Sequence, residues 1–268
     1  MDPDGGVGVN AFQGALTYLN DPLNWSRPRG IVELTGQHLQ IAGLALLFGV
    51  LVAVPIAVVL GHTGKGGGFT VGLANVSRAV PTLAILTIFA VTPIGFTIWA
   101  PVIALTIFAI PPILANTYVG FREVDPDVVE AARAMGMSER QVVLRAELPL
   151  AVPLMMTGIR TAAVQVVATA TLAALLGGGT LGSIIRTGFA RQDPGVIVAG
   201  ALLVAALAAI TEVVLALTSW LVTPGQKQLP FTRRRGARPV DEPSAGLGEG
   251  LTEQERFATV GAGAGRRG

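Results

Sequence analysis

The chain has 268 residues, of which 51% are hydrophobic and only 13% are charged. A soluble domain carries about 25% charged residues, so this composition, with a mean hydropathy of +0.61, excludes an ordinary soluble fold. The net charge of +2 gives no overall bias towards nucleic acid. Between Leu34 and Phe121 the only charged residues are Lys65 and Arg78, and this pattern predicts an all-α integral membrane protein.

Five apolar segments are long enough to cross a bilayer, which takes about 20 helical residues. The spans are expected at about residues 39–61, 69–91, 97–119, 150–176 and 194–222. The weak alternation of a membrane β-barrel is lacking, so we expect a bundle of about five transmembrane helices. Residues 1–30 then precede a transmembrane domain at 31–222, and the Gly- and Arg-rich residues 223–268 are predicted to be a disordered tail.

Basic residues outside the spans predict the orientation, because they favour the cytoplasmic side of the membrane. Ten of them lie on the side of the loop at 120–149: Lys65, Arg122, Arg133, Arg140, Arg145, Lys227, Arg233, Arg234, Arg235 and Arg238. Four lie on the other side: Arg27, Arg29, Arg186 and Arg191. The C-terminus is therefore expected in the cytoplasm and the N-terminus outside, with the tail arginines anchored at membrane lipid.

The loop at 120–149 is predicted to fold as two short helices. Asp125–Pro126 is a helix start, because an N-cap acceptor precedes a proline at the first helical position. Gly136 supplies a stop that permits a positive φ, and Ser138–Gln141 is a capping box that opens the second helix. Leu148–Pro149 is expected to close that helix before the fourth span.

A helix, a glycine turn and a capped helix also describe a DNA-binding helix-turn-helix unit. From Arg122 to Glu147 there are four arginines and six acidic residues, whereas phosphate binding needs a positive surplus. Membrane spans also hold the segment at both ends. We therefore interpret the loop as a docking element for a cytoplasmic protein and expect no nucleic-acid partner.

The loop resembles the EAA loop of ABC-importer permease subunits. It reads Glu130-Ala131-Ala132, then Gly136 after three residues, then Leu148-Pro149 after eleven more. Other motifs resemble the branch of that superfamily that serves osmoprotectant quaternary amines such as glycine betaine, carnitine and choline. These motifs are His38-Leu39, Val80–Ala84, Asn116–Gly120, Gly158–Ala162 and Gly177–Gly182, and the likeness covers residues 30–222.

The resemblance implies a permease subunit in the bacterial inner membrane. Its implied partners are an ABC ATPase in two copies, a second permease subunit (identical or related) and an extracytoplasmic substrate-binding protein. The residues implied in coupling to the ATPase are Glu130, Ala131, Ala132, Gly136, Leu148 and Pro149. Weaker candidates for the translocation pathway are Asn116, Tyr118, Gly178 and Gly179.

No enzymatic or cofactor chemistry is expected in this chain itself. It has no GxxxxGK sequence, so ATP and Mg would be used by the partner ATPase. We expect no catalytic residue, metal site or bound cofactor. The run Gly177–Gly182 matches the dinucleotide fingerprint by letter, but it follows a membrane span and not a strand. It is interpreted as a tight external turn before a short re-entrant or interfacial segment.

Three charged residues fall within the predicted spans, where charge is costly: Arg78, Arg160 and Glu212. Counted from the cytoplasmic ends of their spans at about 1.5 Å per residue, all three lie roughly 15 Å deep. One interpretation is that Glu212 pairs with Arg78 or Arg160 in the bundle interior. The other is that the three groups independently reach water or lipid headgroups.

Two further functions remain open from the residues. A different importer of the same type would carry amino acids, such as methionine, or another small solute. A channel or an ion-coupled secondary transporter would work without an ATPase, but it leaves the capped cytoplasmic unit unexplained.

Overall fold

The computed structural model describes residues 6–68, 70, 72, 82–95 and 97–222, with side chains from Asn10 onward. Its helices in chain order are α1 (Gly6–Asn20), α2 (Pro22–Ser26), α3 (Ile31–Thr63), α4 (Thr82–Ala90), α5 (Trp99–Arg122), α6 (Pro126–Ala134), α7 (Glu139–Val142), α8 (Leu148–Thr169), α9 (Gly182–Arg191) and α10 (Pro194–Val222). A π-helical turn at Val143–Glu147 joins α7 to α8, and a 3₁₀ segment at Ala170–Leu176 follows α8. The predicted tail at 223–268 and Arg78 lie outside the described residues.

Four stretches of the described chain are long and apolar enough to cross a membrane. They are Pro22–Thr63, Trp99–Arg122, Glu139–Leu176 and Pro194–Val222. These stretches correspond to the predicted first, third, fourth and fifth spans, the third being shifted by two to three residues, and the all-helical class is confirmed. The second span, expected at 69–91, is described as a helix only over α4, so its full length lies partly outside the described residues.

The first span begins eight residues before the expected position, at Ile31 instead of about Leu39. Hydropathy finds only the apolar part of a helix, whereas the first two turns of α3 carry polar residues such as Glu33 and Gln37. With 33 residues, α3 is about 50 Å long. That length exceeds the hydrocarbon core of about 30 Å, so α3 extends beyond the membrane.

The buried core lies between α3, α5 and α8 and consists of small and branched residues. Its most enclosed members include Ala45, Ala53, Leu105, Ile113, Ala162 and Val166. Gly158 of α8 illustrates the close approach: a Cβ there would lie 2.7 Å from the Cβ of Asn116 and 2.8 Å from the carbonyl oxygen of Pro112 on α5. Small residues that bring helix backbones together are the usual means of helix association in membranes.

The bundle has two distinct ends. Residues 123–147 lie at one end, here called the loop end, where the C-terminus of α3 meets the start of α8. The other end, here called the far end, contains Gly177 and the start of α3. The predicted tight turn is present at the far end: Gly177 has a φ of +79°, and α9 follows it.

Two further helices, α1 and α2, precede the first span at the far end. Gly14 of α1 packs against Gly195 at the start of α10, where an added Cβ would be 3.1 Å from the Gly195 Cα. In the short α2, the Asp21 side chain accepts a hydrogen bond from the backbone N–H of Leu23 at 2.9 Å. The N-terminal segment is therefore folded onto the bundle through α1.

Candidate functional site

The first helix of the loop forms as the sequence predicts. The Asp125 carboxylate accepts a hydrogen bond from the backbone N–H of Asp127 at 2.9 Å, and Pro126 occupies the first turn of α6. Asp127 lies near the positive N-terminal end of the helix dipole and Arg133 near the negative C-terminal end, which stabilises the helix. Local interactions therefore support the start and the end of the helix that carries Glu130.

The turn and the second helix are confirmed as well. Gly136 has a φ of +80°, a backbone conformation that favours glycine. The backbone N–H of Ser138 donates to the Gln141 side chain at 2.8 Å within the predicted capping box of α7. The loop is therefore a folded two-helix unit.

The expectation that Leu148–Pro149 would end the second helix is wrong. Residues 142, 143, 147 and 148 all have right-handed helical φ and ψ values, and the chain runs without a break from α7 through the π turn into α8. The N–H of Leu148 donates to the carbonyl of Val143, five residues earlier. A proline clashes with an ordinary α-helical carbonyl, and a π turn just before it changes the local hydrogen-bond register. The loop is thus directly continuous with the fourth span.

The EAA residues divide between two faces of α6. Ala132 is buried against the rest of the loop, whereas Glu130, Ala131 and Gly136 are exposed. Val128 and Met135, which are 40% and 71% exposed, share a helix face with Ala131 because their spacing is three and four residues. These side chains and Glu130 form an exposed strip on α6. Leu148 and Pro149 are half-buried at the start of α8.

A network of polar side chains connects the loop to the end of α3. His62, in the last turn of α3, has its Nδ1 atom 2.7 Å from Glu147 Oε2 and its Nε2 atom 3.1 Å from Glu139 Oε2. Arg133 of α6 donates two hydrogen bonds to Glu139, at 3.0 and 3.1 Å. These bonds from Arg133 hold the pKa of the Glu139 carboxyl below its ordinary value, and they raise the pKa of Arg133.

No sequence pattern predicts this network around His62. His62 and Glu147 are 85 residues apart, and no local pattern links them. The sequence gives one indication of it, because Glu147 is an acidic residue at the edge of an apolar span. In the fold, Glu147 is only 5% exposed. A buried carboxylate requires a polar partner, but the sequence does not say which one.

The intramembrane charges Arg160 and Glu212 form an ion pair between α8 and α10. The Nε atom of Arg160 donates to Glu212 Oε1 at 2.6 Å, and the Nη2 atom contacts the same oxygen. The predicted pairing of Glu212 with Arg160 is present, but the pair lies at the edge of the bundle and not in its interior, because the two side chains are 35% and 36% exposed. Equal depth along two helices predicts that side chains can meet, but not which face they share. Arg78, the alternative partner, lies outside the described residues.

The weaker pathway candidates do not lie together. Gly178 and Gly179 line two cavities of about 340 and 300 Å³ at the far end, and both cavities also include Gln37. Asn116 donates to the carbonyl of Pro112 in its own helix, at 2.8 Å. Tyr118 is near the loop end, where its hydroxyl would contact a Cβ at Gly67. The two glycines and Tyr118 are therefore at opposite ends of the bundle.

Comparison with known families identifies the type of protein. Residues 45–223 match the model of the binding-protein-dependent transport system inner membrane component. The match covers more than half of the chain and includes the whole loop at 120–149. The chain belongs to this family. It is therefore a multi-pass inner-membrane transport component.

Several curated relatives are similar over most of their length. The glycine betaine/carnitine/choline transport system permease protein of Bacillus subtilis is 39% identical over 190 residues, 71% of this chain and 87% of that protein. A choline transport system permease protein from the same organism is 39% identical over 72% of this chain and 89% of its own length. The carnitine transport permease protein of Listeria monocytogenes is 40% identical over 71% of this chain and 87% of its own.

Solved structures show the same fold at lower identity. An inward-facing structure of the MetNI methionine ABC transporter aligns with a TM-score of 0.63 and 20% identity, covering 76% of this chain and 99% of that one. An amino acid ABC transporter crystallised with histidines aligns with a TM-score of 0.58 and 17% identity, covering 78% and 98%. The fold of the family component is therefore that of an ABC transporter membrane subunit.

Proposed function

We propose that this chain is the permease subunit of an ATP-driven importer for osmoprotectant quaternary amines such as glycine betaine, carnitine and choline. The observation that carries the proposal is the identity of 39–40% to permeases named for these solutes. The likeness to methionine and amino-acid transporters is only 17–20% in identity, and it concerns the fold alone.

In this proposal an ABC ATPase subunit docks on the exposed strip of α6. Glu130 makes a charged contact there, and the small side chain of Ala131 allows close approach. Nucleotide-driven movement then passes through the turn at Gly136 and the continuous helix at Leu148–Pro149 to the fourth span. ATP and Mg are bound and hydrolysed by the partner, so this chain contributes movement and a path but no catalysis.

The complete transporter has two permease subunits, two ATPases and an extracytoplasmic binding protein that delivers the solute. The loop end then faces the cytoplasm and the far end faces outward, with the N-terminus outside and the C-terminus inside. Gly178 and Gly179, which line the far-end cavities, are candidates for the entrance of the translocation path. Asn116 and Tyr118 are candidates for its deeper part.

Uptake by the reconstituted transporter tests the proposed substrate. The permease and its ATPase are reconstituted in liposomes together with the binding protein. Uptake of labelled glycine betaine, carnitine, choline and methionine is then measured with and without ATP inside the liposomes. We expect ATP-dependent uptake of at least one quaternary amine and none of methionine. Uptake of methionine alone would support the amino-acid alternative, and uptake without an ATPase would support a channel or a secondary transporter.

A charge reversal tests the docking face. Glu130→Arg places the opposite charge in the exposed strip, and we expect both substrate-stimulated ATP hydrolysis and uptake to fall about tenfold or more, because a mismatched charge at an interface is strongly unfavourable. Glu123→Arg is the matched control, since Glu123 is an exposed acid of the same loop outside α6. Equal activity of the Glu130 variant and the control would contradict the docking role.

A further inference from the structure

The loop end of α3 is connected to the coupling loop through one side chain. His62 is only 17% exposed and has a carboxylate oxygen within hydrogen-bond distance of each ring nitrogen. One carboxylate belongs to Glu147 in the π turn that leads into α8, and the other to Glu139 in α7. A single ring therefore joins the first span to two separate elements of the loop.

The chemistry of these contacts favours a strong connection. An ionised carboxylate only accepts hydrogen bonds, and an imidazole ring donates from both nitrogens only in its protonated form. In either protonation state of the ring, at least one N–H can therefore donate to a carboxylate oxygen, and such a charge-assisted hydrogen bond is stronger than a neutral one. Glu147 is 5% exposed, and among the described residues His62 is the side chain that hydrogen-bonds to it. Loss of the ring would leave a buried carboxylate without that partner, which is costly.

The connection extends to the helix that bears the EAA residues. Glu139, which accepts from His62, also accepts two hydrogen bonds from Arg133 of α6. Arg133 is three residues from Glu130, so it lies on the adjacent turn of the same helix. Side chains thereby connect α6 to α3, in addition to the backbone connection of α6 to α8.

We propose that His62 is a positioning residue that couples α3 to the loop, so that the first and fourth spans move together when the loop moves. This inference rests on the coupling role proposed for the loop. Without His62 the docking strip of α6 is unchanged and the ATPase still binds. The first span no longer follows the loop, and ATP is hydrolysed with less transport for each molecule used.

The ratio of uptake to ATP hydrolysis in liposomes distinguishes this role from a stabilising one. For His62→Ala we expect glycine betaine uptake per ATP to fall roughly fivefold or more, a typical size for energetic coupling between sites. His62→Gln keeps one N–H donor and should retain part of the coupling. Thr63→Ala is the matched control, because Thr63 is exposed on the same turn and its hydroxyl bonds only to its own helix. A proportional fall in uptake and hydrolysis, or no change in either, would overturn the proposal.

A distance measurement tests the connection without depending on the solute. The chain has no cysteine, so Thr63→Cys and Arg140→Cys place two spin labels on α3 and α7 of the permease in lipid nanodiscs with its ATPase. His62→Ala should broaden the distribution of distances between the labels, and an unchanged distribution would refute the connection. Glu130→Arg, assayed in parallel for uptake, reports separately on the docking role of the loop.

Discussion

Gly158 offers a direct test of how closely α5 and α8 are packed. An added Cβ would lie 2.7 Å from the Cβ of Asn116, whereas carbon atoms in good contact are about 3.5–4.0 Å apart. Gly158→Ala therefore requires the two helices to separate by about 1 Å. Overpacking of this kind costs about 1–3 kcal/mol.

The matched control for this variant is Gly43→Ala in α3. A Cβ at Gly43 meets no atom within 4 Å, and both substitutions gain the same helix propensity of about 1 kcal/mol. The difference in unfolding free energy between the two variants therefore reports the cost of overpacking at Gly158 alone. We expect Gly158→Ala to be less stable than Gly43→Ala by about 1–3 kcal/mol, measured as the free energy of unfolding in mixed dodecyl maltoside and SDS micelles. Equal stability within about 0.5 kcal/mol would refute the packing argument.

Two further predictions concern electrostatics and helix capping. Arg160→Glu alone should lower the free energy of unfolding in the same micelles by about 3 kcal/mol, the cost of an unpaired charge within a span. Adding Glu212→Arg should recover at least half of this loss, and a double variant no more stable than the single one would argue against the pair. Asp125→Ala removes the N-cap of α6 at a cost of about 1 kcal/mol. Amide hydrogen exchange in α6 should then be about fivefold faster, and unchanged exchange would show that packing alone holds this helix.

The parts of the fold that depend on neighbouring residues could be predicted from the sequence. Asp125–Pro126, Gly136 and Ser138–Gln141 each act within one turn of helix, and the two loop helices form where these signals place them. The apolar spans can also be predicted from their own residues, because an apolar segment that crosses lipid must satisfy its backbone hydrogen bonds internally and therefore forms a helix. The resemblance of the loop to the EAA loop could be recognised for the same reason, since its motif residues lie within 20 positions of one another.

The parts that depend on distant contacts or unusual backbone could not be predicted. The bond from His62 to Glu147 joins residues 85 positions apart, and only the packed structure brings them together. Pro149 reads as a helix stop, yet the π turn before it lets the helix continue. The Arg160–Glu212 pair could be proposed from equal depth, but its exposed location depends on how α8 and α10 are rotated about their axes.

The unbroken helical path from α7 to the end of the 3₁₀ segment has a geometric consequence. It comprises 38 residues, from Glu139 to Leu176, and is therefore about 57 Å long. If it pivots at its loop end, each degree of tilt displaces its other end by about 1 Å. That other end leads directly to Gly177–Gly179, whose backbone borders both far-end cavities. A tilt of a few degrees at the loop end is thus enough to move Gly177–Gly179 by about the diameter of a water molecule.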